Sequence, residues 1–592
     1  MHSKTTGLLI CAAAALLANS AMAQAPTTTT PIKHIVVMFQ ENVSFDHYFA
    51  TYPYAANSTP GEPVFTASPN TPSINGLTPA LLTHNPNSAQ PLRLPRSQSA
   101  ICDQDHDYGD EQKAYNSGAA NKFVETIGGS TANCNSYGAG NGIVMSYYDG
   151  NTVTALWNYA QTFAMSDNFF STVFGPSTMG HLNLVSGQTH GASVVNGAPP
   201  VLSGTLVGDA QPAFDDCVPA TGATISMSGK NVGDMLNAKG ITWGWFAGGF
   251  KPTSRNSDGT AVCASTHTVP NGTSNIDYVR NHEPFQFYQS TANPHHLPAS
   301  STNMIGQTDQ ANHQYDLSDF FTALNAGNMP AVSYLKALSY QDGHALYSDP
   351  LDEQTYIVNT IKAIQQSPYW NSTAIILTYD DSDGWYDHVM PPIINGSATQ
   401  KDQLNGPGLC GTADPTAYQG RCGYGTRLPM LVISPYSRVN YVDHAITDQT
   451  SILRFVEDNW NLGRIGDSSF DALAGSLMSM FNFKSTGNTL ILDPATGQLA
   501  GPMAVAGPKN AQTVSTQMNL DGTASKSANG TPLTYSWTLA PGSPSASILN
   551  AQTATPSVEF DNGFGTYTFQ LTVTDSTGAT ATDTASILYV GH

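Results

Sequence analysis

The sequence predicts an α/β protein: a mostly parallel sheet flanked by helices, followed by a small C-terminal β-sandwich. Three observations carry this. Apolar runs without polar alternation recur between helical patterns over residues 32–490, as strands buried on both faces do. Polar and ionisable groups collect where those runs end. Beyond about residue 505 the helical patterns stop and apolar residues alternate with polar ones, the period of a half-buried strand. A chain of 592 residues exceeds one hydrophobic core. The expected division is a leader over 1–23, a large domain over 24–495, a linker over 496–508 and the sandwich over 509–592.

The elements follow in order. Lys4 precedes the apolar "GLLICAAAALLA", and Ala21-x-Ala23 offers a cleavage site. This is the pattern of a secretory signal peptide, so the mature chain is expected to be secreted or periplasmic. No later stretch is long enough to cross a bilayer, and stable membrane insertion is not expected. Strand-like runs then appear at "HIVVMF", "ITWGWF", "PAVSYL", "AIILTY" and "LPMLVIS". Between them, "NVGDMLNAKG" reads as a helix stopped by Gly240, and residues 353–366 carry helical periodicity. "TDQTSILRFVEDNW" is a further helix, with Thr447 or Asp448 as its cap. The Gly/Pro/Asn-rich stretches at 55–100 and 395–425 read as surface insertions. In the last segment Tyr567, Phe569, Leu571 and Val573 alternate with polar neighbours, and "LTYSWTLAPG" supplies a second strand.

Net charge is −21 with only 11% charged residues, against roughly 25% in an average protein. That balance argues against nucleic acid as a partner, because a phosphate backbone needs a basic footprint. A small phosphorylated substrate held by a local cation is compatible with it. Beyond Cys11 there are six cysteines, Cys102, Cys134, Cys217, Cys263, Cys410 and Cys422. In an oxidising compartment an even number implies disulfides, and pairing sequence neighbours is the simplest of about 15 arrangements. None has the CxxC spacing of a structural zinc site.

In an open parallel sheet, ligands bind beyond the carboxyl ends of the strands. Glu41-Asn42 ends the first run, Asp380-Asp381 ends "AIILTY" with Asp383 just beyond, and "PAVSYL" leads to Asp342 and His344. Adjacent carboxylates in a partly buried cleft need a cation. Glu41, Asp380 and Asp381, with Asn42 and a serine hydroxyl, make an oxygen-ligand site for one divalent metal ion of unspecified identity. Ser177 follows the tight turn Gly175-Pro176, where a helix start would face an incoming anion. A metal contact would activate it as a nucleophile. Bland alternatives stand beside each of these: a strand-end turn at Glu41-Asn42, a helix cap at Ser177, and Thr178 as competitor. His106, the His295–His296 doublet and His344 are candidate phosphate-pocket histidines. His181, His190 and His388 read as structural.

"ENVSFDHYFATYP", "CDQDHDY", "FGPSTMGHLNLVSG", "NPHHLP", "DGHALYSDP" and "TYDDSDGWYDHV" occur in order over residues 32–460. Together they resemble the bacterial acid phosphatase/phospholipase C superfamily, more closely its acid-phosphatase branch. The final segment, "YSWTLA…GTYTFQLTVTDSTGA", resembles a PKD-type module. The resemblance implies an alkaline-phosphatase-like core and metal-assisted phosphoester hydrolysis. It makes Glu41, Asn42, Ser177, Asp380 and Asp381 metal ligands, with Ser177 forming a phosphoserine. It places His106, His295, His296 and His344 around the phosphate, as catalytic and substrate-binding groups. Two departures, Val43 where phospholipase C members carry Arg and "MGHLN" after the nucleophile, favour small phosphomonoesters over phosphatidylcholine-type diesters. Phospholipase C activity is the alternative, and an adhesin or glycan-binding protein the minor one. A glycan or surface partner for the C-terminal domain stays open.

Overall fold

The computed structural model describes residues 27–591 apart from 130–133, 219–221, 271, 407, 412–417, 485–486 and 562. The expected signal peptide and Cys11 lie outside the described residues. The main sheet has eight strands: β1 (His34–Gln40), β2 (Ala164–Ser166), β3 (Trp243–Ala247), β4 (Gln314–Asp316), β5 (Val332–Lys336), β6 (Thr373–Tyr379), β7 (Met430–Ile433) and β8 (Tyr441–Asp443). Their order is β4-β3-β5-β1-β6-β7-β2-β8. Pairing is parallel from β4 to β6 and between β2 and β8. "LPMLVIS" forms β7, which runs antiparallel to both neighbours. The sheet is therefore mostly parallel, as expected, with one reversed strand beside its centre.

Strand β1 shows why these runs are apolar on every residue. Val36 and Met38 enter one core with Ile375, Leu377 and Tyr379 of β6. Ile35, Val37 and Phe39 enter a second core on the opposite face. Each such side chain contributes about 1.5–3 kcal/mol on burial, so register is held from both sides. Five helices matter most: α1 (Phe45–Phe49), α2 (Ser177–Ser186), α3 (Val232–Lys239), α4 (Pro350–Gln365) and α5 (Gln449–Trp460). Tyr356, Ile357, Ile361 and Ile364 of α4 cover the first face. Leu184 and Val185 of α2, Val232 and Leu236 of α3, and Ile452, Leu453 and Val456 of α5 cover the second. Local chemistry sets the ends: Asn231 and Asp234 form a capping box and Gly240 stops α3 at φ +64°. Asp448 caps α5.

Disulfides join Cys102–Cys134, Cys217–Cys263 and Cys410–Cys422, the sequence-neighbour pairing. The C-terminal unit is a sandwich built from β9 (Ala511–Thr513), β10 (Gln517–Asn519), β11 (Thr534–Leu539), β12 (Ala546–Leu549), β13 (Ser557–Phe560), β14 (Gly565–Thr574) and β15 (Thr580–Tyr589). Its two sheets are ordered β9-β15-β14-β11 and β10-β13-β12. Tyr567, Phe569, Leu571 and Val573 fill its core with Trp537. Ala506 packs in its core, and Met503 and Gly507 bridge to Lys526 and Asp521. No described helix is long and apolar enough to cross a membrane.

Beneath the strand ends, α1 is anchored by a buried ion network. Arg427 lies over the Phe45 ring, donates to Asp46 at 3.0 Å through Nη2, and to Asp387 at 3.1 Å through Nε. His388 Nδ1 is 2.6 Å from Asp46. Burial acts against both charges of this pair. The partners outweigh it, lowering Asp46 and raising His388 from their ordinary values of 3.8 and 6.5. Arg427→Met strands two buried carboxylates and should cost about 3–5 kcal/mol, read as a lower urea midpoint for the large domain. His388→Gln probes the same network by pH. The contribution of Asp46 is present above 3.8 and fades as pH falls through its lowered value. That of His388 is present below 6.5 and fades as pH rises through its raised value. The stability gap between wild type and variant should therefore be widest between these pH values and narrow on both sides.

Candidate active site

The parallel registers bring the ends of β5, β1 and β6 side by side, and the chain turns sharply at each. Asn42 adopts φ +61° and Asp383 φ +54°, left-handed conformations that Asn and Asp tolerate better than other residues. The turn at Asn42 aims its amide N–H at Asp380 Oδ1, 3.0 Å away, and its side-chain amide donates to Asp383 at 2.9 Å. The Asp381 amide adds a second donor to Asp380 Oδ1 at 2.8 Å. Helix α2 approaches this turn more closely than a side chain would allow. A Cβ on Gly180 would lie 2.2 Å from the Asp380 carbonyl oxygen. From the other side Gln449, at the start of α5, donates to that same carbonyl at 2.5 Å.

Ser177 is the first residue of α2, which follows Gly175 at φ +111° and Pro176. It does not cap the helix through its side chain. Its hydroxyl lies 3.2 Å from Glu41 Oε2 and 3.1 Å from Asp381 Oδ2. Thr178 turns away, donating to Asp209 at 2.8 Å. A hydroxyl has one hydrogen and serves one carboxylate at a time, so these buried oxygens together call for a cation. Asn42 Oδ1, Asp380 Oδ2 and Asp342 Oδ2 are buried without a hydrogen-bond partner. Hard oxygen donors in this number fit a divalent ion. The electrostatics agree. Burial first, then Asp380, holds Glu41 and Asp381 well above the usual carboxylate range. Burial likewise pushes Asp342 up to about 8. Asp380 moves the other way: His181 and Lys336 outweigh its burial and lower it. Without a cation, protons must neutralise this cluster.

Two of the expected histidines stand near it. His106 faces Asp381 Oδ2 from 4.0 Å through Nε2, and its Nδ1 lies 2.9 Å from the Gln104 carbonyl. Burial opposes its protonation, but Asp381 and Asp383 prevail and raise it well above 6.5. His344 is lowered by burial, although Asp103 pulls upward, and its ring stacks on Tyr347. The structure does not bring the doublet to this cluster. His295 is mostly exposed and sits 2.5 Å from Asp216, while His296 is buried between Asp215 at 2.9 Å and the Phe250 carbonyl at 2.8 Å. Both serve the loop around Cys217–Cys263 and contact none of the cluster carboxylates.

The structure adds three side chains in their place. His282 Nδ1 is 3.1 Å from Glu41 Oε1, and His181 Nε2 is 3.6 Å from the same oxygen. Lys336, the last residue of β5, forms a buried ion pair with Glu41 Oε1. His181 had a signal, being one helical turn from Ser177, whose carbonyl lies 2.9 Å from its Nδ1. Lys336 also had one, as a lysine closing a mostly apolar run. His282 is a lone histidine with no pattern around it.

A strand-end carboxylate cluster around a helix-start serine, in an α/β fold, defines a phosphoester hydrolase. The chain belongs to the Phosphoesterase family, whose model matches residues 32–463, and residues 506–588 match a PKD domain family. Among curated relatives, the non-hemolytic phospholipase C of Burkholderia pseudomallei is 24% identical over 493 residues, covering 80% of this chain and 62% of that longer protein. Phospholipase C A of Mycobacterium tuberculosis is 23% identical over 497 residues, covering 83% and 84%. Murine ectonucleotide pyrophosphatase/phosphodiesterase 5 is 10% identical and covers 56% of this chain and 95% of its own, with a TM-score of 0.28, too slight a likeness to carry an argument. Gly180→Ala tests the close approach of α2. Moving Ser177 by about 1 Å should lower kcat on the order of 100-fold in a protein whose circular dichroism is unchanged.

Proposed function

We propose that the chain is an exported phosphoric monoester hydrolase of the acid phosphatase kind, with Ser177 as nucleophile. The observation that carries this is the Ser177 hydroxyl, held between Glu41 and Asp381 at a helix start. Glu41, Asn42, Ser177, Asp380 and Asp381 would hold one divalent ion. When bound, it supplies charge that acidifies the serine hydroxyl and offsets the phosphoryl oxygens. Ser177 Oγ gives up its proton to one of the carboxylates it faces, Glu41 or Asp381, and attacks phosphorus; the ester bond to the leaving oxygen breaks, and a phosphoserine forms. His106, held toward its protonated form, donates to the leaving alkoxide. Water then cleaves the serine–phosphorus bond and releases inorganic phosphate. The N-terminal dipole of α2 favours the anion throughout. His344, whose backbone N–H donates to Asp342, is read as a phosphate-pocket group, and the three disulfides support an oxidising, secreted or periplasmic setting.

The substrate class rests on the groove beside this site. It is reached through Asp107, next to His106, and Asp209, the partner of Thr178. Asp110, Lys113, Lys401 and Gln403 line it as well. Tyr108, Pro200 and Val207 complete the lining, and its charged and amide groups support polar leaving groups over two acyl chains. The phospholipase C relatives keep phosphatidylcholine-type diesters as the second reading. The sandwich is read as accessory, and no residue in it speaks for a glycan.

Ser177→Ala should lose about 10⁴-fold or more in kcat, while Thr178→Ala loses far less. Phosphate trapped on another residue, by mass spectrometry after acid quench, overturns the assignment. Asp380→Asn should lose bound metal and activity together, by elemental analysis and turnover of p-nitrophenyl phosphate. Higher kcat/KM on phosphatidylcholine than on any monoester decides for the second reading.

A further inference from the structure

The two carboxylate oxygens of Glu41 face different partners. Oε2 faces Ser177. Oε1 faces the Lys336 ammonium, His282 and His181. On this second side Glu41, His181 and His282 offer donor atoms within 4.8 Å of one another. His181 Nε2 and His282 Nδ1 are both buried and make no hydrogen bond. Their rings stack at 4.9 Å and 14°, so both present an edge to the same carboxylate oxygen. Two imidazoles and a carboxylate are the ligand set of a mononuclear zinc site, and a carboxylate shared between two cations is how paired-metal hydrolases are built. Here a lysine side chain enters that second place. Lys336 is 3% exposed and closes β5, next to β1 in the sheet, so its ammonium is delivered by the backbone register and cannot drift into solvent.

We propose that Lys336 is a resident second cation. It fills the Oε1 side of Glu41, blocks a latent Glu41–His181–His282 metal site, and limits the centre to one divalent ion on the Oε2 side. The proposal rests on the reading of that Oε2 side as a metal site. It makes Lys336 a positioning residue, since it fixes the Glu41 carboxylate without touching the phosphoryl group.

The test is the number of ions bound by the purified full chain, by elemental analysis after equilibration with excess Zn²⁺ and desalting. Wild type should hold about one per chain and Lys336→Met about two. Adding His282→Gln to Lys336→Met should return the count to about one. Cobalt substitution gives an independent readout. The extra equivalent in Lys336→Met should bring the stronger visible absorption of a four-coordinate, histidine-ligated ion. Lys336→Gln, which keeps a hydrogen bond to Glu41, carries the same expectation should the Met variant not fold. Two ions in wild type overturn the proposal and leave the metal-hydrolase reading intact. A count that stays at one in the folded variants also overturns it, as does loss of all metal on replacing Lys336. No metal in wild type removes both readings together.

Discussion

Everything at the site follows from negative charge packed at the ends of three adjacent strands. Two carboxylates about 4 Å apart repel by roughly 4 kcal/mol at an effective dielectric of about 20. Glu41, Asp342, Asp380, Asp381 and Asp383 are all buried there. The protein answers in three ways. Backbone amides of Asn42 and Asp381 converge on Asp380. The ammonium of Lys336 takes one oxygen of Glu41, and His106 is drawn toward its charged form. What these leave uncompensated is negative charge that a divalent ion, as proposed, would neutralise.

The fold supplies the rigidity this demands. Apolar side chains hold β1 and β6 from both faces, so the turns at Asn42 and Asp381 are displaced only if two cores yield. Gly180 lets α2 press against the Asp380 carbonyl, and Gln449 grips it from α5. Below, Arg427 ties α1 to the segment after β6 through Asp46 and Asp387. The sandwich adds no group to this arrangement. Its contacts run through Asn529 to Ile491 and Ala500.

The strands, most of the helices and the carboxylates were legible because burial on both faces leaves continuous apolar runs, whose ends are visible as abrupt polar steps. Ser177 was legible for a related reason, since Gly-Pro before a hydroxyl marks a turn into a helix. The histidines were legible only in part: His106 and His344 lie beside the carboxylates, while the partners of the His295–His296 doublet are Asp216 and Asp215. His282 and Lys336 reach Glu41 across more than 200 residues of chain, and no local period records such a contact. The reversal of β7 was hidden too, because an apolar run carries no sign of its direction.

The double hold on the Asp380 carbonyl has a consequence for how the protein meets its cation. Helix α2 and Gln449 contact the backbone there, and neither contact involves a ligand oxygen. Under the proposed one-ion reading, the donor oxygens would be held by the backbone and its neighbours rather than by the ion. For a protein exported as proposed, such a socket would let its ion exchange with whatever the surroundings hold, and its metal content would follow the medium.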